Sequence, residues 1–356
     1  MVRRMRDFII IGGGIAGVSA AARLSALGSV LLLEAEANLA HHASSRSAAI
    51  FEETYGAAST VALTRASRAE LEARGVLSPR GLLMVASPEE TEAFDHDLGA
   101  LEMEEIGLDE ARALFPILGP SVTRAAFQRD TLDLDTDLLL QGFQREARAN
   151  GGRIETRAPV TAIRSTATGW AVEAGATFEG RTLVNAAGPW ADRIAAMAGV
   201  PPLGLAPLRR SMARIPAPSD PSRWPMVMGA GESWYMKPDA GALLVSPAEE
   251  DLQEPHDAWA DDMILAEGLA RFEAHVSLEV TRLLASWAGL RTFAPDRQLV
   301  LGPDPLEPSF LWCAGQGGYG FQSSCAASRH LADLAAGEAP TIGADITAAL
   351  SPARFR

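Results

Sequence analysis

Three glycines and one acid carry the first recognisable chemistry in this chain. Gly12, Gly14 and Gly17 fall within Asp7-Phe8-Ile9-Ile10-Ile11-Gly12-Gly13-Gly14-Ile15-Ala16-Gly17, and Glu34 closes a second apolar run, Val30 to Leu33. This spacing suits a nucleotide pyrophosphate. Gly12 permits a tight turn out of a strand. Gly14 lets the backbone approach phosphate oxygens where a Cβ would intrude, and Gly17 lets the next helix lie close to the strand. The helix N-terminus at Ile15 and Ala16 offers unpaired N–H groups and a partial positive charge. Glu34, with Ala35 beside it, stands where a carboxylate accepts from ribose hydroxyls, which argues against a 2′-phosphate. These residues suit FAD and NAD alike.

A second cluster, Gly315-Gln316-Gly317-Gly318-Tyr319-Gly320, follows the apolar run Phe310 to Ala314. It precedes a helix-like stretch from Phe321 to Ala336 and predicts a second helix N-terminus aimed at an anion. An NAD dehydrogenase has no need of one so near its C-terminus. A flavin does, because its N1–C2=O edge becomes negative on reduction. FAD is therefore the expected cofactor.

The elements that would position these groups are legible in outline. Phe8 to Ile11 is apolar on both faces, as a central parallel strand must be. The helix after it is expected over Ile15 to Leu27, and Ser44 to Ala49 as the capped start of another. Further helices are expected at Ser59 to Arg74, Pro88 to Leu101, Asp109 to Phe115 and Thr136 to Asn150. Pro201 to Ser286 differs: it is rich in proline, with alternating strands at Leu208 to Ile215, Ser233 to Lys237 and Ala242 to Ser246, and a helix over Ala258 to His275. The fold class expected is α/β: a Rossmann-type FAD-binding domain with an inserted antiparallel-sheet substrate-binding domain. The FAD-binding domain would comprise 1–80, 136–200 and 287–356, and the substrate-binding domain 81–135 and 201–286.

Composition sets bounds. The 356 residues suffice for about two domains. A net charge of −14 argues against nucleic acid and against an anionic membrane surface. No apolar run is long enough to span a membrane. Arg3, Arg4 and Arg6 look like the start of a signal peptide, but glycines break the apolar run behind them. Two cysteines, Cys313 and Cys325, suit a reducing cytoplasm without a structural disulfide. No metal site is expected; His41-His42 is a poor chelating pair, expected near the cofactor or in solvent.

Together these residues resemble the FAD-dependent D-amino-acid oxidase and glycine oxidase family, over nearly the whole chain. The resemblance also rests on Ser45-Arg46-Ser47, Val184-Asn185-Ala186-Ala187-Gly188 and Trp287-Ala288-Gly289-Leu290-Arg291. Within the family the chain looks most like bacterial D-arginine dehydrogenases, through Arg46-Ser47-Ala48-Ala49, Tyr55-Gly56, Arg209-Arg210-Ser211 and Tyr235-Met236-Lys237-Pro238-Asp239-Ala240-Gly241. The resemblance implies that Arg291 receives a substrate α-carboxylate as a bidentate fork. Arg210 would be the second basic contact, and Tyr235 would donate a hydroxyl to the same carboxylate. Tyr55, Ile50, Glu52, Leu82 and Gly318 would border the substrate. Cofactor contacts would further include Ser45, Arg46, Ser47, Val160, Ala187, Gly188 and Trp190. The C-terminal third would add Gly289, Arg291, Gly315, Gly317, Gly318, Tyr319, Gly320 and Phe321.

The activity implied is oxidative deamination of D-amino acids. A hydride leaves the α-carbon for flavin N5, and the imino acid hydrolyses to a 2-oxo acid and ammonia. Cations around the carboxylate disfavour the ammonium form of the amine, so no dedicated base is required. Where D-arginine dehydrogenases carry His, Thr and Glu, this chain has Ile50, Glu52 and Leu82. A preference for neutral or hydrophobic side chains is expected. Glu52 or Glu53, if facing the pocket, would instead restore a site for D-Arg or D-Lys. Glycine, sarcosine or a cyclic imino acid as substrate, or a non-catalytic flavin-binding subunit, are the alternatives. Quinone, another carrier and oxygen stay open as electron acceptor. The expected location is the cytoplasm, free or peripheral to the inner membrane.

Overall fold

Phe8 to Ile11 forms the centre of the first sheet, and its two apolar faces are both covered. In the computed structural model, which describes residues 5–356, strand Arg6–Ile11 lies between Val30–Leu33 and Thr177–Asn185, parallel to both. Arg3 and Arg4 lie outside the described residues. Arg153–Glu155 extends the sheet on one side and Phe310–Ala314 on the other, again in parallel. Phe8, Ile10 and Leu32 meet helices Ile15–Leu24, Thr136–Ala149 and Ser324–Ala336. Ile9, Ile11 and Leu31 meet Trp170, Val172 and helix Ala191–Met197. This is the double burial that an all-apolar strand requires.

The glycines set the distance between first strand and first helix. A Cβ on Gly17 would sit 1.9 Å from the Gly12 carbonyl oxygen, and one on Gly12 would sit 2.3 Å from that of Ala186. Gly12 also has φ +109°, a conformation closed to other residues without strain.

The second sheet has nine strands and is mostly antiparallel. Strands Ala206–Pro216, Ala242–Ser246, Tyr235–Asp239 and Met226–Gly229 run side by side, and Met226–Gly229 pairs in parallel with Leu82–Ala86. That contact joins two distant parts of the chain into one sheet. Ala285–Phe293 pairs antiparallel with Ala206–Pro216 from Ala206↔Phe293 to Arg214↔Ala285. A domain boundary at 287 therefore falls inside a strand of the second sheet. A small third sheet joins Ile50–Phe51, Leu132–Leu134 and Leu77–Pro79.

Several local expectations are corrected. Ser44 to Ala49 does not open a helix: a 3-10 turn, Ala43–Arg46, gives way to extended Ser47 and to Ala49 at φ +59°. The 258–275 helix begins at Asp262, because the Asp261 carboxylate accepts from the N–H groups of Met263 and Ile264. The helix expected from Phe321 begins at Ser324, so its N-terminus stands three residues beyond that start. Strands Glu104–Ile106, Arg124–Gln128 and Met226–Gly229 are short and lacked a clear alternation. Cys313 and Cys325 are both free and buried, and burial pushes each thiol up to about 12. Among the described residues no helix is long and apolar enough to cross a membrane.

Gly17→Ala forces helix and strand apart. A loss of about 1–3 kcal/mol is expected, as for other overpacked cores. Thermal unfolding read with the bound flavin per chain checks it: a lower melting temperature and a lower flavin content should appear together.

Candidate active site

Between the two large sheets runs a cleft of three connected hollows, with empty volumes of about 1190, 810 and 820 Å³. Gly14, Ser44 and Gly188 line both the first and the second hollow. Ser47, Arg210, Arg291, Gly318 and Phe321 line both the second and the third.

The first hollow is the fingerprint end. Gly12, Gly14, Glu34, Ala35, Val160, Ala187, Gly188 and Trp190 line it. Glu34 is buried and already accepts from the Gly13 N–H at 2.6 Å and the Glu36 N–H at 2.8 Å. It therefore holds the glycine turn as well as facing the hollow. Ser44, absent from the expected set, accepts from the Ile15 N–H at 3.0 Å. Ser45 is exposed on the outer side of the 3-10 turn and donates to the carbonyls of His41 and His42, so it lines no hollow.

Ile15, Ala16, Gly289, Gly317, Gly318, Gly320 and Phe321 line the middle hollow. Arg46 lines it too, but its guanidinium donates to the carbonyls of Ala258 and Ala288 and pairs with Asp257. Its charge is spent as a clamp behind Gly289. Gly17, Gly315 and Tyr319 line none of the three: Gly17 packs on Gly12, and the Tyr319 ring lies edge-on to Tyr55. A Rossmann turn, its first helix N-terminus and a second glycine-lined wall thus fit an FAD molecule extended along the first two hollows.

The third hollow carries the charges. Arg291 stands opposite Leu208 in the strand ladder, and Arg210 is two residues further along, so both side chains share one face of the sheet. Arg209 points the other way and pairs with Asp251 at 2.7 Å. Arg210 is held by the Glu249 carbonyl at 3.0 Å and by Glu250 at 3.2 Å. Glu250 also binds Arg297 at 2.9 Å. Burial pushes the Glu250 carboxyl up, and Arg297, Arg210 and Arg291 bring it below its ordinary range.

Arg291 differs from all its neighbours. Among the described residues its guanidinium has neither a hydrogen-bond acceptor nor an acid within ion-pair distance. Burial works against its charge, whereas Tyr235, Tyr55 and Glu232 favour it and leave the pKa raised. The Tyr235 hydroxyl, also in this hollow, is buried and has no partner among the described residues. A cation and a hydroxyl with empty donors in one cavity can receive a carboxylate. Tyr55 donates to Glu232 at 3.1 Å, and burial followed by Glu232 raises its pKa, so the hydroxyl stays protonated.

The far wall is mixed. Ile50, Leu82, Leu101, Met226 and Met228 make it apolar. Glu52 also faces it, 4% exposed, with no Lys or Arg partner among the described residues. Its carboxylate accepts from the Thr54 N–H and hydroxyl, the Gln128 amide and the Thr131 hydroxyl. Glu53 instead pairs with Arg68 at 3.1 Å and lines no hollow. Sequence reasoning missed Glu232, Thr131, Trp234 and Gln322. Glu232 and Trp234 were within reach, lying within three residues of Tyr235.

Glu36, His41 and His42 converge, with ligating atoms all within 4.8 Å, so the histidine pair is better placed for a cation than adjacency suggests. All three line the first hollow. Burial and His41 lower the pKa of His42.

The family profile described as DAO, FAD dependent oxidoreductase, matches residues 7–334. The bovine FAD-dependent oxidoreductase domain-containing protein 1 is 28% identical over 169 residues, 43% of this chain and 35% of that protein. The match thus spans about a third of that relative's length. Glycine oxidase of Bacillus licheniformis is 24% identical over 94% of both chains. The structure of L-proline dehydrogenase from P. horikoshii superposes with a TM-score of 0.85, at 19% identity, over 99% of this chain and 98% of the other.

Two substitutions test the cavity. Arg291→Met should leave the ligand-free protein folded, because among the described residues no hydrogen bond or ion pair is lost with the guanidinium. It should also weaken carboxylate binding by about 2–5 kcal/mol, or about 30-fold and upward. Tyr235→Phe should leave stability unchanged or higher and cost about tenfold in binding. Thermal unfolding and ligand titration measure both.

Proposed function

This chain belongs to the FAD dependent oxidoreductase family, and on that premise we propose that it oxidatively deaminates D-amino acids with neutral or apolar side chains. FAD is the cofactor, and when bound it supplies a two-electron acceptor. The observation that carries the reading is the Arg291 guanidinium, without a hydrogen-bond or ion-pair partner among the described residues, in the same hollow as the unpartnered Tyr235 hydroxyl.

The chain's own residues have separable roles. Arg291 receives the α-carboxylate through paired N–H groups, and Tyr235 adds a third donor. Arg210, fixed by Glu250, contributes field more than contact. These cations disfavour an α-ammonium, so the amine loses its proton to solvent before oxidation. Tyr55, Phe321 and Trp234 shield the reacting end from water. The products are an imino acid, then a 2-oxo acid and ammonia.

The preference for neutral side chains rests on the far wall. The Glu52 carboxylate is already engaged by protein donors, three at Oε1 and the Thr131 hydroxyl at Oε2. An incoming guanidinium would have to compete with these donors for a bidentate contact. The second reading takes the absence of a Lys or Arg partner at Glu52 as a vacancy for a cation, and so favours D-Arg or D-Lys. Alignment with glycine oxidase along 94% of the chain keeps small amines in view. The hand of the substrate is inferred from the resemblance to D-amino-acid enzymes, since an L-proline enzyme shares the fold.

Anaerobic reduction by a panel of D- and L-amino acids, glycine and sarcosine, followed by admission of air, is the test. Neutral D-amino acids should bleach the flavin fastest. The highest kcat/KM with D-Arg or D-Lys, lost about tenfold or more in Glu52→Gln, would establish the second reading instead. The rate of reoxidation in air separates oxygen from another acceptor.

A further inference from the structure

We propose that Lys237 is a positioning residue that fixes the wall shared by the cofactor and substrate hollows. The inference rests on the functional reading above only for its effect on substrate. Lys237 is two residues beyond Tyr235 on strand Tyr235–Asp239, so both side chains leave the same face of the second sheet. Tyr235 enters the substrate hollow, while Lys237 is buried beside it at 8% exposure. Its Nζ donates to the Ala48 carbonyl at 2.7 Å and the Ala49 carbonyl at 3.0 Å, and pairs with Asp133 at 2.8 Å.

An ammonium has three donors: two go to the Ala48 and Ala49 carbonyls, and the Asp133 carboxylate lies within ion-pair distance. Lys237 is engaged by these groups and does not line the substrate hollow. What it does is mechanical. Ser47, Ala48 and Ala49 line the substrate hollow, and Ser47 also lines the middle one. This segment lies between a 3-10 turn and a two-residue strand, and its backbone reaches φ +59° at Ala49. Left alone, an alanine disfavours that conformation. Lys237 grips the carbonyls on both sides of it.

Asp133 completes the lock. It stands opposite Ile50 in the third sheet and is also bound by Arg80 at 2.7 Å. One ammonium thus ties the strand bearing Tyr235, the third sheet and the Ser47–Ala49 wall. The spacing between the carboxylate donor and that wall depends on this tie.

The experiment compares wild type, Lys237→Met and Lys237→Arg as FAD-loaded protein. Hydrogen–deuterium exchange of peptides covering 47–51 is read without substrate, and KM and kcat with the best amino acid of the panel. Lys237→Met should keep its flavin and exchange about tenfold faster at 48–50 while strand Arg6–Ile11 stays unchanged. KM should rise about ten- to hundredfold, with kcat little altered, and Lys237→Arg should recover most of that. Unchanged exchange and unchanged KM in a folded Lys237→Met protein would overturn the proposal. So would an equal rise of KM in Lys237→Arg. If Lys237→Met does not fold, Asp133→Asn takes its place, with faster exchange at 48–50 as support and unchanged exchange as refutation. If wild type is bleached by no amino acid, the functional reading fails, and exchange alone decides the role of Lys237.

Discussion

A guanidinium without a counter-ion, sunk in a cleft between two sheets, is the constraint around which this molecule is arranged. Removing such a charge from water is costly unless a partner repays it. Arg210 and Arg297 share Glu250, Arg209 has Asp251, and Arg46 has Asp257 with two carbonyls. Among the described residues Arg291 has none, and the Tyr235 hydroxyl in the same hollow has no partner either. A cation and a hydroxyl that face one cavity without partners mark a site that waits for an anion.

The fold tolerates this because Arg291 is held by a ladder instead of by a loop. Strand Ala285–Phe293 pairs along its whole length with Ala206–Pro216, which also carries Arg210. The same strand passes Gly289 beneath the 3-10 turn that Arg46 clamps. The anion site and the cofactor wall thus share one rigid element, and a shift in either moves both. The glycine turn at the other end of the cleft is fixed just as tightly, through the contacts of Gly12 and Gly17 and the grip of Glu34 on the Gly13 N–H.

Much of the first sheet was legible in the sequence, because strands buried on both faces and glycines forced by close approach leave local signatures. Phe8 to Ile11, Val30 to Leu33 and Phe310 to Ala314 are of that kind. The second sheet was harder to read. Its parallel contact between Met226–Gly229 and Leu82–Ala86 joins segments far apart in sequence, and such pairing has no local trace. Ser44 to Ala49 read as a helix start since nothing in its composition announces φ +59° at Ala49. For the site, the residue types were legible and the pairing states were not. That Arg46 is engaged, Arg291 unengaged and Glu52 bound by Gln128 and Thr131 depends on neighbours from distant parts of the chain.

The most direct measurement is a crystal structure of the FAD-loaded protein with a bound 2-oxo acid of neutral side chain. Its carboxylate should sit on the Arg291 guanidinium and the Tyr235 hydroxyl, with the side chain toward Ile50, Leu82 and Met228. A carboxylate seated on Arg210 or Arg46, with Arg291 still without a partner, would contradict this reading.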